Sequence, residues 1–355
     1  MSRPVMRTAA PDFDRTVSNE FSVGVDFGGT NLRAAAYSPK NGVLELIHQT
    51  TRLKDGRDAV VSDMCNRIRG LIDRHAKTRK LKGVGMGSPG PIELPGGLLH
   101  DLPNLPGWGG LELRSTLEKN LGTSVIIEND ANAAALAECF LGRGKTLGID
   151  SLCMMTLGTG VGGGIILHGN ILDGMNGFAG EVGHLNIWTD GLPCGCGGHG
   201  CTEPYASATS VRRAAKNLIA AGKAPGLAAL AAKNAEFTPR EVGLLAEAGD
   251  AEAVHIFENL GQALGIALSA VVNTLNLPLY LLGGGLLNAW NLFAPSMFQE
   301  LRSRSYIYRL TEPSAEDMLS HREGKTYVEK AELGTDAGFL GACLLPFTTW
   351  QEAQR

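Results

Sequence analysis

Two stretches of the sequence are built to one plan. FSVGVDFGGTNLRAAAY starts at Phe21, and SLCMMTLGTGVGGGIILHG starts at Ser151. Each is an apolar run, a glycine turn and a second apolar run, the pattern of a hairpin with the turn at its tip. When Asp26 is placed on Thr156, Gly28 falls on Gly158 and a second run follows in both copies. Repetition of this kind predicts two related α/β halves. The 355-residue length agrees, because a single core stops growing at roughly 250–300 residues.

Other segments fill in this plan. VLELIHQ reads as a third strand, and apolar residues at Val60, Val61, Met64, Ile68, Leu71 and Ile72 give residues 57–75 a helical period. KGVGMG and SVIIEND are short buried strands that present polar side chains at their carboxyl ends. Segments 207–222 and 250–276 are helical, LPLYLLGGG and TYVEKAEL are strands, and Thr335 is the expected N-cap of a last apolar helix. The expected division is a flexible tail over 1–20, a small α/β domain from 21–130 with 336–355, and a large α/β domain over 131–335. The junction falls near Asp130.

Composition excludes several classes. A formal charge of -4 offers no general attraction to phosphodiester backbones, so nucleic acid is not an expected partner. The first twenty residues lack the continuous apolar run of a secretory signal. Residues 259–299 carry no charge, yet Gln262, Asn273, Asn276, Pro278 and the Gly283 to Gly285 triplet argue for a buried helix and strand rather than a span. The expectation is a cytoplasmic protein with no membrane partner. Seven cysteines, an odd number without a secretory signal, argue against a disulfide framework. Cys65, Cys139, Cys153 and Cys343 sit singly in apolar segments as core residues do.

Four motifs could carry chemistry. The turns at Gly28, Gly29 and Thr30 and at Gly158, Thr159 and Gly160 leave backbone N–H groups unobstructed, as phosphate oxygens require. Asp26 beside the first could hold Mg²⁺ through water. Neither turn ends in a Walker-type Lys-Ser or Lys-Thr, and neither opens a helix as a dinucleotide fingerprint does. In IIENDANAAALAE, Asp130 stands at a strand end before an alanine-rich helix, where it serves either as a general base or as the helix N-cap. His184, Cys194, Cys196 and Cys201 have the composition of a closed structural zinc site within a loop over 184–203. A redox pair is the weaker alternative, since Cys-x-Cys differs from the Cys-x-x-Cys of thioredoxin-type enzymes. His199 reads as a loop residue outside the metal shell.

Taken in order, Asp-Phe-Gly-Gly-Thr at 26–30, Gly-Ser-Pro-Gly-Pro-Ile at 87–92, Glu-Asn-Asp at 128–130, Leu-Gly-Thr-Gly-Val-Gly-Gly-Gly at 157–164, Gly-Glu-Val-Gly-His at 180–184 and CGCGGHGCTE at 194–203 resemble the ROK family (repressors, open reading frames and sugar kinases). The resemblance covers nearly everything after the first twenty residues. It implies the two-domain actin-like ATPase fold, which is ribonuclease H-like, with duplicated halves and an interdomain cleft. It implies ATP-dependent phosphorylation of a hexose at its 6-hydroxyl, with ATP, Mg²⁺ and structural Zn²⁺ as cofactors. In this reading Asp130 is the catalytic base and Asn129 a sugar ligand. Glu181, His184 and Glu203 hold ring hydroxyls, and His184 also binds the zinc. Phosphates lie at Gly28 to Thr30 and at Gly158 to Gly160, and the turn that includes Gly283 and Gly284 lies near the adenosine.

Within the family the fork is between kinases and repressors. About twenty residues ahead of the first strand cannot fold a DNA-binding module, since cores below about 40 residues usually need a metal or disulfides. An enzyme is therefore expected. NLPGWGG at 104–110 resembles the loop of glucokinase-like members, with Asn104 touching the sugar, so glucose is the first expected substrate. N-acetylglucosamine, N-acetylmannosamine, mannose and fructose remain alternatives, as does a sugar-responsive binding protein without catalysis. The resemblance also implies a homo-oligomer, a dimer or tetramer.

Overall fold

The structure is a computed structural model that describes residues 19–100 and 105–348. The expected tail over 1–20 lies outside these residues except for its last two, and Glu20 already opens the first strand. Asn104 also lies outside them.

The chain begins with strands β1 (Glu20–Phe27), β2 (Asn31–Ser38) and β3 (Gly42–Thr50), then helix α1 (Arg57–His75), β4 (Lys80–Ser88) and the small hairpin β5 (Ile92–Glu93) and β6 (Leu98–Leu99). Helix α2 (Leu113–Leu121), β7 (Val125–Asn129), α3 (Asp130–Phe140) and α4 (Arg143–Leu147) follow. A second series opens with β8 (Leu152–Leu157), β9 (Val161–Leu167) and β10 (Asn170–Ile171). It continues through α5 (Glu203–Ala206), α6 (Ala208–Ala220), α7 (Pro225–Lys233), α8 (Pro239–Glu247) and α9 (Ala251–Leu275). The remaining elements are β11 (Leu279–Gly283), α10 (Trp290–Arg304), α11 (Tyr306–Thr311), α12 (Ala315–Ser320), β12 (Tyr327–Lys330) and α13 (Ala337–Leu344).

Duplication is explicit in the topology. One five-stranded sheet runs β3-β2-β1-β4-β7 and the other β10-β9-β8-β11-β12, the same order counted within each series. In the first, β1 is antiparallel to β2 and parallel to β4, which is parallel to β7. Asp26, Gly87 and Glu128 therefore form one row at the carboxyl ends of three parallel strands. Open α/β sheets bind ligands at this edge.

The compact units divide at other points than residue 130. One comprises 1–152, 164–180 and 332–355, the other 153–163 and 181–331. Helix α3 belongs with the first unit because of its contacts there. A Cβ at Gly341 of α13 would lie 1.7 Å from the Ala133 carbonyl, and one at Gly164 would lie 2.7 Å from the Ala131 carbonyl. Alanine and glycine let these backbones touch, and the alanine run of α3 is buried from Ala131 to Ala137. On the sheet side, α13 sits over Gly24 and Gly85, where added Cβ atoms would meet Cys343 and the Ala342 carbonyl at 2.4 and 2.0 Å. Helix α1 buries Val60, Val61, Met64, Ile68 and Leu71 beside Val23, Val25 and Met86 in the same core.

In the second unit the long helix α9 is the core helix. It is long and apolar enough to span a membrane, but 61% of its most apolar stretch is buried. Its Gly261 admits α10 so closely that a Cβ would lie 2.1 Å from the Phe293 carbonyl. Asp250 caps its start by accepting the Ala253 N–H at 2.9 Å. Thr335 does not cap α13; residues 334–336 form a 3-10 turn that runs directly into the helix without a side-chain cap.

Candidate active site

In the first unit, Gly28 donates its N–H to the Asn31 carbonyl at 2.9 Å, closing the tight turn between β1 and β2. Thr51 braces the turn from behind: its hydroxyl donates to the Gly28 carbonyl at 2.7 Å and its amide to the Thr30 carbonyl at 2.8 Å. Asp26 lies beside the turn, and Arg33 pairs with it across the hairpin, Nη2 at 2.6 Å and Nε at 3.2 Å from the same Oδ2. Arg33 was not singled out from the sequence, although the antiparallel register puts it directly opposite Asp26. Both contacts fall on one carboxylate oxygen, Oδ2.

The β7–α3 junction is fixed by side chains. Asn129 is the N-cap of α3, its Oδ1 accepting the Ala131 and Asn132 amides at 2.8 and 3.4 Å. Asp130 is the first residue inside the helix, so the capping role considered for it belongs to its neighbour. Asn129 Nδ2 also donates to the Gly90 carbonyl at 3.2 Å. Much of the hydrogen-bonding capacity of the expected sugar ligand is spent on the turn.

In the second unit, the matching turn between β8 and β9 exposes Gly158 and Thr159. The Ala208 amide donates to the Gly158 carbonyl at 2.8 Å and the Thr209 hydroxyl to the Thr159 carbonyl at 2.7 Å, so the start of α6 holds the turn. Ser207 caps α6 reciprocally with Ser210. From the other side Glu203 accepts the Val161 amide at 3.0 Å. Gly183 lies against the Val161 carbonyl, where a Cβ would come within 1.9 Å. Residues 182–184 form a 3-10 turn that carries His184, whose Nε2 is 3.9 Å from Glu181 Oε2. Desolvation raises the Glu181 carboxyl above its ordinary value, His184 opposes the shift and Glu203 adds to it.

His184, Cys194, Cys196 and Cys201 bring their donor atoms within 4.8 Å of one another. The Cys196–Cys201 sulfurs are 3.8 Å apart and Cys194 Sγ is 3.5 Å from His184 Nδ1. Tetrahedral zinc, with Zn–S near 2.3 Å and Zn–N near 2.0 Å, sets ligand separations of about 3.8 Å (S to S) and about 3.5 Å (S to N). The donor set fits zinc and leaves His184 Nε2 outside it. The glycines give the loop its path: Gly200 has φ +70, and a Cβ there would lie 1.7 Å from the Trp188 carbonyl. His199 stands opposite Pro193, outside the donor set.

A cleft of about 530 Å³ opens beside Gly158 and Thr159. The opposite wall is α8, through Arg240, Gly243, Leu244 and Glu247, and the floor includes Gly285 and Asn288. Gly283 packs against Met154, and Gly284, with φ +95, fits against the Leu157 carbonyl. Neither lines the cleft; their neighbour Gly285 does. The α8 wall was missed in the sequence; only the structure shows that its Leu244 is an apolar residue left 55% exposed. A second hollow of about 560 Å³ shares Thr159, Ala208 and Pro239 with the cleft and carries Arg212, Arg213 and Lys216.

The sequence profile described as ROK family matches residues 22–348. A glucokinase of Halalkalibacterium halodurans is 34% identical over 92% of this chain and 94% of its own length. The crystal structure of a ROK hexokinase from Thermus thermophilus matches with a TM-score of 0.74 and 29% identity, covering 94% of this chain and 100% of that one. A ROK family glucokinase from Streptomyces griseus, in complex with glucose and AMPPNP, matches with a TM-score of 0.70 and 28% identity over 92% of this chain and 98% of that one. With its duplicated two-domain, actin-like ATPase architecture and a family match from 22 to 348, the chain belongs to the ROK family.

Proposed function

We propose that this protein is an ATP-dependent hexokinase that phosphorylates glucose at its 6-hydroxyl. The observation that carries the reading is the exposed Gly158–Thr159 turn opening onto a cleft of about 530 Å³, in a chain 34% identical to a glucokinase. A nucleotide in that cleft places its base against Leu244 and its phosphates at the bare amides of the turn, where consecutive N–H groups suit anionic oxygens. The glucose and AMPPNP held by the Streptomyces griseus relative support both ligands.

Asp130 is the general base. At the carboxyl end of β7 it takes the proton of the 6-hydroxyl as that oxygen attacks the terminal phosphorus of ATP, and ADP leaves. Phosphoryl transfer depends on positioning and charge neutralisation more than on covalent help. Asn104, Asn129, Glu181, His184 and Glu203 are the sugar ligands in this reading. Gly28, Gly29 and Thr30 form the second phosphate-facing turn. Asp26 would hold Mg²⁺, which would supply positive charge to the phosphates.

Zinc bound by His184, Cys194, Cys196 and Cys201 is structural: four protein ligands leave no open position for a substrate. Held there, zinc would fix the ring of His184, whose Nε2 lies 3.9 Å from Glu181 Oε2. A sugar hydroxyl can then be met by a rigid imidazole without the cost of ordering a loop.

A screen of ADP release across glucose, mannose, fructose, N-acetylglucosamine and N-acetylmannosamine tests the reading. Glucose is expected to give the highest kcat/KM. Preference for an N-acetylhexosamine would replace the substrate, and glucose binding without ADP release would replace the enzyme by a sugar-responsive binding protein.

A further inference from the structure

Glu128 ends β7 beside the base-bearing turn and is 3% exposed. Its Oε1 accepts the Asn129 amide at 2.8 Å and Asn132 Nδ2 at 2.9 Å, and both donors belong to the start of α3. The carboxyl of Asp173, just beyond β10, lines the same small cavity, close enough for its charge to act on Glu128. A hydrogen bond between two carboxyl groups requires a proton on one of them, and two buried carboxylates side by side repel. Around the pair α3 contributes Leu136, β10 Ile171, and the segment after α13 Leu345 and Thr348; among these lining residues Asp173 is the only other titratable group. Glu138, equally buried in the same helix, instead has a donor on each oxygen, the Leu333 amide to Oε1 at 2.7 Å and the Arg143 amide to Oε2 at 3.0 Å.

Asp173 is itself tied to neighbouring structure in the first unit. Its carbonyl accepts the Ala179 amide at 3.1 Å and closes the loop 173–179, and Asn176 accepts the Leu94 amide at 3.0 Å. A Cβ at Gly177 would lie 2.7 Å from the Ile92 carbonyl. The carboxyl pair therefore joins the Asn129–Asp130 turn to a loop seated on the β5–β6 hairpin.

We propose that Glu128 and Asp173 share a single proton, and that this bridge positions the Asn129–Asp130 turn, so that phosphorylation declines in alkaline solution as the bridge loses its proton. The activity part rests on Asp130 being the base. Burial first, and the Asp173 charge second, push the Glu128 carboxyl up to about 8 from 4.5. Because the folded value is the higher one, the bridge's contribution to stability is complete below about pH 4.5, wanes as pH rises, and is gone above about pH 8.

Glu128→Gln and Asp173→Asn separate this role from simple packing. Either amide supplies a permanent N–H in place of the shared proton while its oxygen still accepts. Thermal unfolding midpoints and kcat are measured against pH for the full chain and both variants. For the unsubstituted protein the midpoint falls between about pH 5 and about pH 8, and kcat falls about tenfold per pH unit beyond that, with sugar KM little changed. In the amide variants the midpoint loses that slope, and kcat at about pH 9 stays within about twofold of the same variant's value at neutral pH. An identical midpoint slope and alkaline limb in all three proteins would overturn the proposal. So would failure of both variants to fold, since an amide reproduces the protonated bridge. If the unsubstituted protein phosphorylates no sugar, the proposed function fails, and the unfolding curves alone decide the bridge.

Discussion

The Glu203 carboxylate accepts the amide hydrogen of Val161 at 3.0 Å, so this one side chain closes the β8–β9 turn. Gly160 lies under the same carboxylate, where a Cβ would come within 2.1 Å of Oε2. In the proposed function, phosphate turn and sugar ligand are thereby one unit of structure.

Gly160→Ala is expected to displace Glu203 and weaken sugar binding. An unsatisfied or displaced buried partner costs about 1–3 kcal/mol, or roughly 5- to 150-fold in sugar KM. Steady-state kinetics check this, and Glu203→Gln combined with Gly160→Ala should cost little more than Gly160→Ala alone.

Zinc removal is expected to act on the sugar more than on the nucleotide. Cys201→Ser should lose stoichiometric zinc by elemental analysis, lower the melting temperature and raise sugar KM. None of the residues lining the proposed nucleotide cleft is a ligand of the cluster, so ATP KM should move little. A metal-free preparation with unaltered kinetics would defeat the zinc assignment.

Arg33→Ala should reduce kcat/KM by about 10- to 100-fold, the usual cost of losing a partner that orients a metal-facing ligand. Both donors of Arg33 meet one Asp26 oxygen, and lysine offers only a point charge, so Arg33→Lys should restore only part of the loss.

Leu244→Asp tests the nucleotide cleft. Exchanging its exposed apolar wall for a charge should raise ATP KM by roughly 5- to 30-fold, equivalent to about 1–2 kcal/mol, while sugar KM holds. An equal rise in both constants would place Leu244 outside the nucleotide site.

The sequence was most legible where a local pattern has one physical solution. The period of residues 57–75 became α1 at those bounds, and the two glycine hairpins became the corresponding turns of two sheets of one order. The cysteine cluster was visible because its members are neighbours in the chain. What escaped depends on distant residues. Glu128 looks like an ordinary strand residue until Asp173 is packed against it, and the α8 wall faces Gly285 only through the packing of the second unit. The sequence left Asp130 as either base or N-cap because Asn and Asp cap equally well, and only the backbone shows that Asn129 is the residue outside the helix.

Glucose-dependent ADP release by Asp130→Ala, with glucose affinity measured calorimetrically on the same protein, tests the account most directly. It predicts a fall in kcat of about 10²- to 10⁴-fold with glucose affinity retained. Turnover equal to that of the unsubstituted enzyme would contradict it.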